Sequence, residues 1–299
     1  MLAIVIPYYK LTFFEETLQS LANQTDKRFK VYIGDDASPE NPQPTLEKFK
    51  GKFDFVYHRF ETNLGGASLT EQWERCIGLT DKESWVMILG DDDSLSSNAM
   101  ASFYENLLEI NSKDIKVIRF STIVINENGD AISEIYNHPK IETPKDFLNR
   151  KFSKKTRSSL SEYIFDKNLL SKVKFVNFPL AWHSDDLVIM RVGKNGIYSI
   201  NDSFLSIRTS TLSITGSKQN RLLKADATLQ FILNYIFRIK QITNEAQHNL
   251  ERKAEHAIFD LRNINYFARL CFYYLTNRKI YKFLRLIYFY IKKSNRWRK

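Results

Sequence analysis

Cysteine is almost missing from this chain of 299 residues, with Cys76 and Cys271 the whole complement. Two cysteines form no disulfide framework and have no metal-ligand spacing, which excludes a disulfide scaffold and fits a reducing compartment. Long apolar runs are missing too, none approaching the roughly 18 residues needed to span a bilayer. The N-terminus opens almost directly on Leu2–Ile6, without the basic region or cleavage site of a signal peptide. There is no repeat and no low-complexity tract. Acids are absent from the last stretch: Tyr266 to Lys299 holds ten Lys and Arg and no Asp or Glu.

Apolar residues make up 43% of the chain and aromatics 14%, enough for a sizeable core and against disorder. The length suits one large α/β domain, or a domain of about 210 residues with an appendage. The net charge of +10 is unevenly spread. From Asn220 onward there are 17 Lys and Arg against 5 Asp and Glu, a balance of +12 that leaves −2 for the first 219 residues. Basicity belongs to the tail, so the two parts need separate explanations.

The chain is organised around Trp85-Val86-Met87-Ile88-Leu89-Gly90-Asp91-Asp92-Asp93. The apolar run reads as a strand buried on both faces, and it ends abruptly in three adjacent carboxylates. Such acids repel one another and are not cheaply desolvated together, so the arrangement makes sense if a cation neutralises them. Carboxylate oxygens suit Mg²⁺ or Mn²⁺, with substrate phosphates completing the shell. The plainer alternative is a helix start, with Asp93 or Ser94 capping a helix through Ala99 to Leu108.

Strands are expected at Leu2–Pro7, Phe29–Gly34 and Phe53–His58, with helices at Phe13–Ala22, Thr45–Phe49 and Ser68–Leu79 between and after them. This alternation predicts a largely parallel βαβ sheet covered on both faces. Lys116–Ile125 is β-rich, and a turn at Asn126–Asp130 leads to a further strand at Ala131–Ile135. A short helix and loop follow in Thr143–Arg157, then a strand at Leu160–Phe165. A helix from the Trp182-His183-Ser184-Asp185-Asp186 segment runs through Met190, and a strand pair is centred on Asn201-Asp202. Arg208–Lys218 is polar and suited to a mobile loop. Helices complete the chain. Acids end two strands of the first sheet, Asp35-Asp36 and Asp91–Asp93, and in a parallel sheet both point to one edge.

With these motifs in order, the sequence resembles family 2 of the inverting glycosyltransferases, nucleotide-sugar enzymes of GT-A fold. Val5-Ile6-Pro7-Tyr8-Tyr9-Lys10 is similar to the family's opening strand and turn. Asn23-Gln24-Thr25 with Ile33-Gly34-Asp35-Asp36-Ala37-Ser38 resembles its paired motif, Asn63-Leu64-Gly65-Gly66 its glycine turn, and Leu89–Asp93 its metal motif. Ser184-Asp185-Asp186 lies where the family has Glu-Asp. The chain departs in having Gly90 at the first acid of the metal motif, Asp185 for Glu, and no basic residues after Gly66.

The resemblance implies a GT-A catalytic domain over 1–219, with 1–115 the nucleotide-sugar half and 116–219 the acceptor half, and a basic aromatic helical extension over 220–299. It implies that Asp36 accepts from the uracil N3–H of a UDP-linked donor, with Pro7 and Tyr9 walling the base and Asn63 and Gly65 forming the adjoining turn. Asp91 faces the ribose or assists the metal; Asp92, then Asp93, ligates Mn²⁺ or Mg²⁺. Asp186 is the general base, with Asp185 its substitute. Arg75, or Arg208 and Lys218 on the loop, contacts the diphosphate; His183 packs or faces the acceptor rather than ligating a metal, and Trp182 packs in the core or stacks on a sugar ring. The expected activity moves a sugar to a hydroxyl of a glycan or lipid-linked acceptor, with inversion, in surface polysaccharide synthesis. The rival is a catalytically silent donor-binding or membrane-associated scaffold.

In residues 266–299 the basic side chains are interleaved with aromatics, and Ile280, Phe283, Leu284, Ile287 and Ile291 fall near one helical face. That pattern resembles a helix lying on an anionic membrane surface; packing on the catalytic domain or on another subunit is the alternative. No nucleic-acid motif is present. The expected location is the cytoplasm, peripheral at the membrane's cytoplasmic face, with self-association left open.

Overall fold

The computed structural model describes the chain apart from Leu212, Ile214, Thr215, Ser217, Lys218, Arg298 and Lys299, and gives only the backbone for residues 293–297. The expected roles of Lys218 and of most of the loop after Arg208 therefore lie outside the described residues. Nine strands among those described form one sheet, in the order β3-β2-β1-β4-β8-β6-β9-β5, with β7 (Ile141–Glu142) paired to β9.

Four strands build the parallel part: β1 (Leu2–Tyr8), β2 (Phe29–Asp35), β3 (Asp54–Arg59) and β4 (Trp85–Ile88). Strand β1 lies between β2 and β4, with Leu2 opposite both Phe29 and Trp85. Its apolar residues are fully buried because helices α1 (Phe14–Ala22), α3 (Leu69–Ile77) and α4 (Ala99–Ser112) cover the sheet. The order reverses direction at β1, so the carboxyl ends of β2 and β4 flank its end and make the crevice where such sheets bind ligands.

Beyond β4 the sheet is mixed rather than parallel. Strand β8 (Tyr163–Asp166) runs antiparallel to both β4 and β6 (Val117–Ile125). The strand pair expected around Asn201-Asp202 is one long strand, β9 (Ile197–Arg208), parallel to β6 with a register shift opposite Phe120/Ser121. Asn201 is held there by the Ser121 hydroxyl at 2.7 Å and donates to the carbonyl of His138 at 2.8 Å, so no hairpin forms. The strand expected at Ala131–Ile135 is reduced to isolated bridges, Ile125 with Ala131 and Thr122 with Tyr136. A two-residue strand, β5 (Ser94–Leu95), directly follows the acids, and α4 is preceded by Asn98 as its N-cap residue, not by Asp93 or Ser94.

The chain divides into two compact units: 1–147, 156–177 and 184–217 form the first, and 148–155, 178–183 and 218–299 the second. The second is helical, containing α8 (Arg221–Asn234), α9 (Asn244–Leu261), α10 (Ile264–Thr276) and α11 (Ile280–Trp297). His183 and Trp182 belong to it. His183 is buried and stacks on Phe231 at 4.5 Å between ring centroids. No helix among the described residues is long and apolar enough to cross a membrane.

Candidate active site

Parallel pairing sets the position of the acids. Tyr8 ends β1, and its carbonyl accepts from the N–H of Asp36 at 3.1 Å. On the other side, Asp91 Oδ2 accepts from the main-chain N–H of Tyr9 and of Lys10, each at 2.9 Å. The two acidic turns therefore grip the end of β1 from opposite flanks of one edge.

The three consecutive carboxylates have different surroundings. Asp93 is buried; its Oδ2 accepts from the Ser161 hydroxyl at 2.6 Å and its Oδ1 from the Arg208 N–H at 2.9 Å. Asp91 is spent on the Tyr9-Lys10 turn through one oxygen. The Asp92 carboxylate accepts no hydrogen bond from another described residue, so its oxygens remain for a ligand. Burial, then the charges of Asp93 and Asp91, push its pKa up to about 8. Burial raises Asp91 and Asp93 as well. Such a deficit of positive charge around hard oxygens fits a divalent cation. No group of three or more His, Cys, Asp or Glu among the described residues would hold a metal alone, so a cation at Asp92 would draw most of its ligands from a diphosphate and water.

Gly90 explains one departure from the family pattern. A Cβ there would lie 2.9 Å from Asp92 Oδ1 and 3.1 Å from Asp93 Oδ2. The turn closes this tightly only without a side chain.

Asp36 is buried and organises the glycine turn. Its Oδ1 accepts from the Leu64 N–H at 2.7 Å, its Oδ2 from the Gly65 N–H at 2.8 Å, and it pairs with Arg75. Asn63 Oδ1 accepts from Gly66 N–H at 2.7 Å and closes the turn locally. Beside it, Asp35 Oδ2 is bound by Tyr57 and Arg59, at 2.5 and 2.7 Å. Tyr9 is exposed and Pro7 half-buried at the same edge.

The expectation that Arg75 or Arg208 reaches the diphosphate meets two guanidinium groups with fixed partners. Arg75 binds Asp36 and the carbonyl of Thr62. Arg208 is buried, with Nε on the Asp92 carbonyl at 3.2 Å, Nη1 on the carbonyls of Asn126 and Glu127 at 3.0 Å each, and Nη2 on Glu16. It braces the acidic turn through the Asp92 carbonyl and the Asp93 carboxylate. Arg157, which sequence reading passed over, also lies beside the triad: its charge acts on Asp93, and its Nη1 is 3.2 Å from Thr122 Oγ1 and 3.5 Å from Glu162 Oε2. Its main-chain carbonyl accepts from Arg119 Nη2 at 2.6 Å, and Arg119 is fully buried between Glu162 and Glu142. These partners are far apart in sequence, so no local signal marked them. Lys10 also acts on Asp91 and Asp92.

Helix α7 (Ser184–Val192) carries the remaining pair in its first turn, Asp186 fully buried and Asp185 half-buried. The charge of Asp186 acts on the hydroxyl of Tyr163. Tyr163 begins β8 at the acid edge, two residues after Ser161, whose hydroxyl oxygen accepts from Gly90 N–H at 3.0 Å and whose proton goes to Asp93. One strand end thus links the surroundings of Asp186 to the triad.

A mixed sheet with a four-stranded parallel half and carboxylates at the carboxyl end of its switch point is the GT-A architecture. The profile named "Glycosyl transferase family 2" matches residues 3–166, and the chain belongs to that family of glycosyltransferases. No curated protein matches the chain. Similar solved structures include S. aureus TarS 1–349 in complex with UDP-GlcNAc, with a TM-score of 0.60 and 17% identity over 98% of this chain and 92% of that one. The same protein with UDP gives 0.56 and 18%, over 100% and 92%. GalNAc-T7 with UDP, GalNAc and Mn²⁺ gives 0.51 and 11%, over 86% and 54%. At these identities the likeness is one of fold.

Proposed function

We propose that this family 2 member is a cation-dependent, inverting transferase that moves a hexosyl or N-acetylhexosaminyl group from a UDP-linked donor to a hydroxyl of a glycan or lipid-linked saccharide. The observation that carries this reading is the pairing of the Asp36 and Asp91–Asp93 turns around the end of β1, with the Asp92 carboxylate accepting no hydrogen bond from another described residue. Asp36 and its glycine turn would meet the base, with Pro7 and Tyr9 as its wall, while Lys10 and Arg157 supply positive charge toward the diphosphate. Asp92 would hold Mn²⁺ or Mg²⁺, which when bound offsets the charge growing on the departing diphosphate.

Asp186 would take the proton from the acceptor hydroxyl as its oxygen bonds to the anomeric carbon and the bond to the diphosphate oxygen breaks. A positioned base of this kind contributes about 10²–10⁴-fold. The TarS complex with UDP-GlcNAc supports the choice of uridine, and the Mn²⁺ in the GalNAc-T7 structure supports the cation. An acceptor carried on lipid would suit contact of residues 266–299 with the cytoplasmic face of a membrane.

Product formation over a panel of nucleotide sugars, with and without Mn²⁺, tests this directly. Asp92→Asn should abolish cation-supported transfer. Asp186→Asn should keep donor affinity in calorimetry while turnover stops; full activity in that variant removes Asp186 from the mechanism. The second reading is a donor-binding protein without turnover, favoured by the complete burial of Asp186. Donor binding with no product from any acceptor would select it.

A further inference from the structure

The basic tail has an unusual inside and outside. Glu251 and Glu255 on α9 are buried, and each needs a counter-ion. Helix α11 and the turn before it supply them: Lys279 Nζ lies 2.5 Å from Glu251 Oε1, Lys282 pairs with the other oxygen of Glu251, and Arg285 binds Glu255 through both oxygens at 2.7 and 2.8 Å. Leu286 is buried on the same side, and Tyr290 stacks on Phe267 at 4.0 Å. With Lys282 and Arg285 committed inward, α11 turns several large apolar side chains outward. Tyr281, Leu284, Tyr288 and Ile291 are 77, 58, 59 and 55% exposed and recur at spacings of three and four, so they form one stripe. That reverses the usual polarity of a surface helix.

We infer that this stripe seats the chain on an anionic lipid bilayer surface, an inference that rests on the membrane contact proposed above but assigns it to the apolar side chains rather than to Lys279, Lys282 and Arg285. The occupant must be apolar within and negative at its margin. Arg278 and Lys292 flank the stripe and are exposed, the sequence adds Lys293, Arg296, Arg298 and Lys299, and no acid follows Asp260. A second copy docked face to face would bring an identical set of cations to the seam. A leaflet of anionic headgroups accepts both features, with tyrosines suited to its boundary.

The test is sedimentation of the full chain with vesicles of phosphatidylcholine alone or with added phosphatidylglycerol. The wild type should pellet with the anionic vesicles, and less so as salt is raised. The double substitution Leu284→Gln and Tyr288→Ser, at exposed positions, should weaken partitioning by about tenfold or more, and Lys292→Gln by about fivefold. Binding of a UDP-sugar, measured in parallel, should stay unchanged in all three proteins, so loss of the catalytic reading is seen separately. Unchanged partitioning of the double variant, or no pelleting with either vesicle, overturns the inference. So does a wild-type dimer that the double substitution converts to monomer without any vesicle binding, which would give the face to a second copy.

Discussion

The main-chain N–H of Arg208 donates to Asp93 Oδ1 at 2.9 Å across 115 residues of sequence. The same residue's Nε reaches the carbonyl of Asp92 at 3.2 Å. The end of β9 therefore fixes both the side chain of one acid and the backbone of the next. Replacing Arg208 by Ala strands the carbonyls of Asp92, Asn126 and Glu127 in a buried setting. The expected cost is about 2 kcal/mol or more in denaturant unfolding, with weaker Mn²⁺ affinity by calorimetry because the turn loosens.

Gly90→Ala is expected to leave the fold intact and damage the site. Its new methyl would press on Asp92 Oδ1 from 2.9 Å, so the carboxylates must move apart. Cation-supported turnover should fall about tenfold or more, with the circular dichroism spectrum unaltered. Wild-type turnover in this variant would show that the tight turn is not needed.

Gly65→Ala acts on the other acidic turn. A Cβ there would sit 2.5 Å from Asp36 Oδ2, in the space the Gly65 N–H bond now uses. Donor affinity is expected to drop about tenfold, whereas Mn²⁺ binding without nucleotide stays at the wild-type level. Titrating donor and cation separately distinguishes the two turns.

Glu83 supplies a pH signature away from the site. Burial alone would raise its carboxyl, but the Tyr32 hydroxyl at 2.7 Å and the N–H of Asp81 at 2.9 Å outweigh that and hold it below its usual range. Its contribution to stability is therefore present above the unfolded pKa and is lost as pH falls through the lower folded value. Glu83→Gln should cost about 1–2 kcal/mol at neutral pH and progressively less on acidification. Thermal unfolding of both proteins from pH 7 to pH 3 reads this out; a difference that persists at the acid end would remove the ionised carboxylate as its cause.

Cys76 offers a simple check on packing. Burial pushes its thiol up to about 12, and its side chain fills the space beside Gly34 on β2. It should resist alkylation in the native chain and react on unfolding. Rapid native labelling would mean that α3 detaches from the sheet.

Local pattern determined a good deal of this protein. Apolar runs marked β1, β2 and β4, the last two closed by acids, because a strand buried on both faces must be apolar and the polar change at its end is abrupt. Parallel alternation then brought Asp36 and Asp91–Asp93 to one edge. Spacing alone also revealed the basic aromatic tail and its helical period.

Tertiary structure decided what each side chain is free to do. Asp91, Asp92 and Asp93 are identical as letters, yet among the described residues Tyr9 and Lys10 take one oxygen of Asp91, Ser161 and Arg208 take both of Asp93, and Asp92 keeps both of its own. Arg75 and Arg208 read in the sequence as cations for a phosphate, and only the fold shows that Asp36 and Glu16 stand beside them. Likewise Lys282 and Arg285 of α11 turn inward because α9 buries two glutamates against them. Hydrogen bonds and ion pairs are satisfied by whichever partner the fold brings within about 3 Å, and sequence distance carries no record of that.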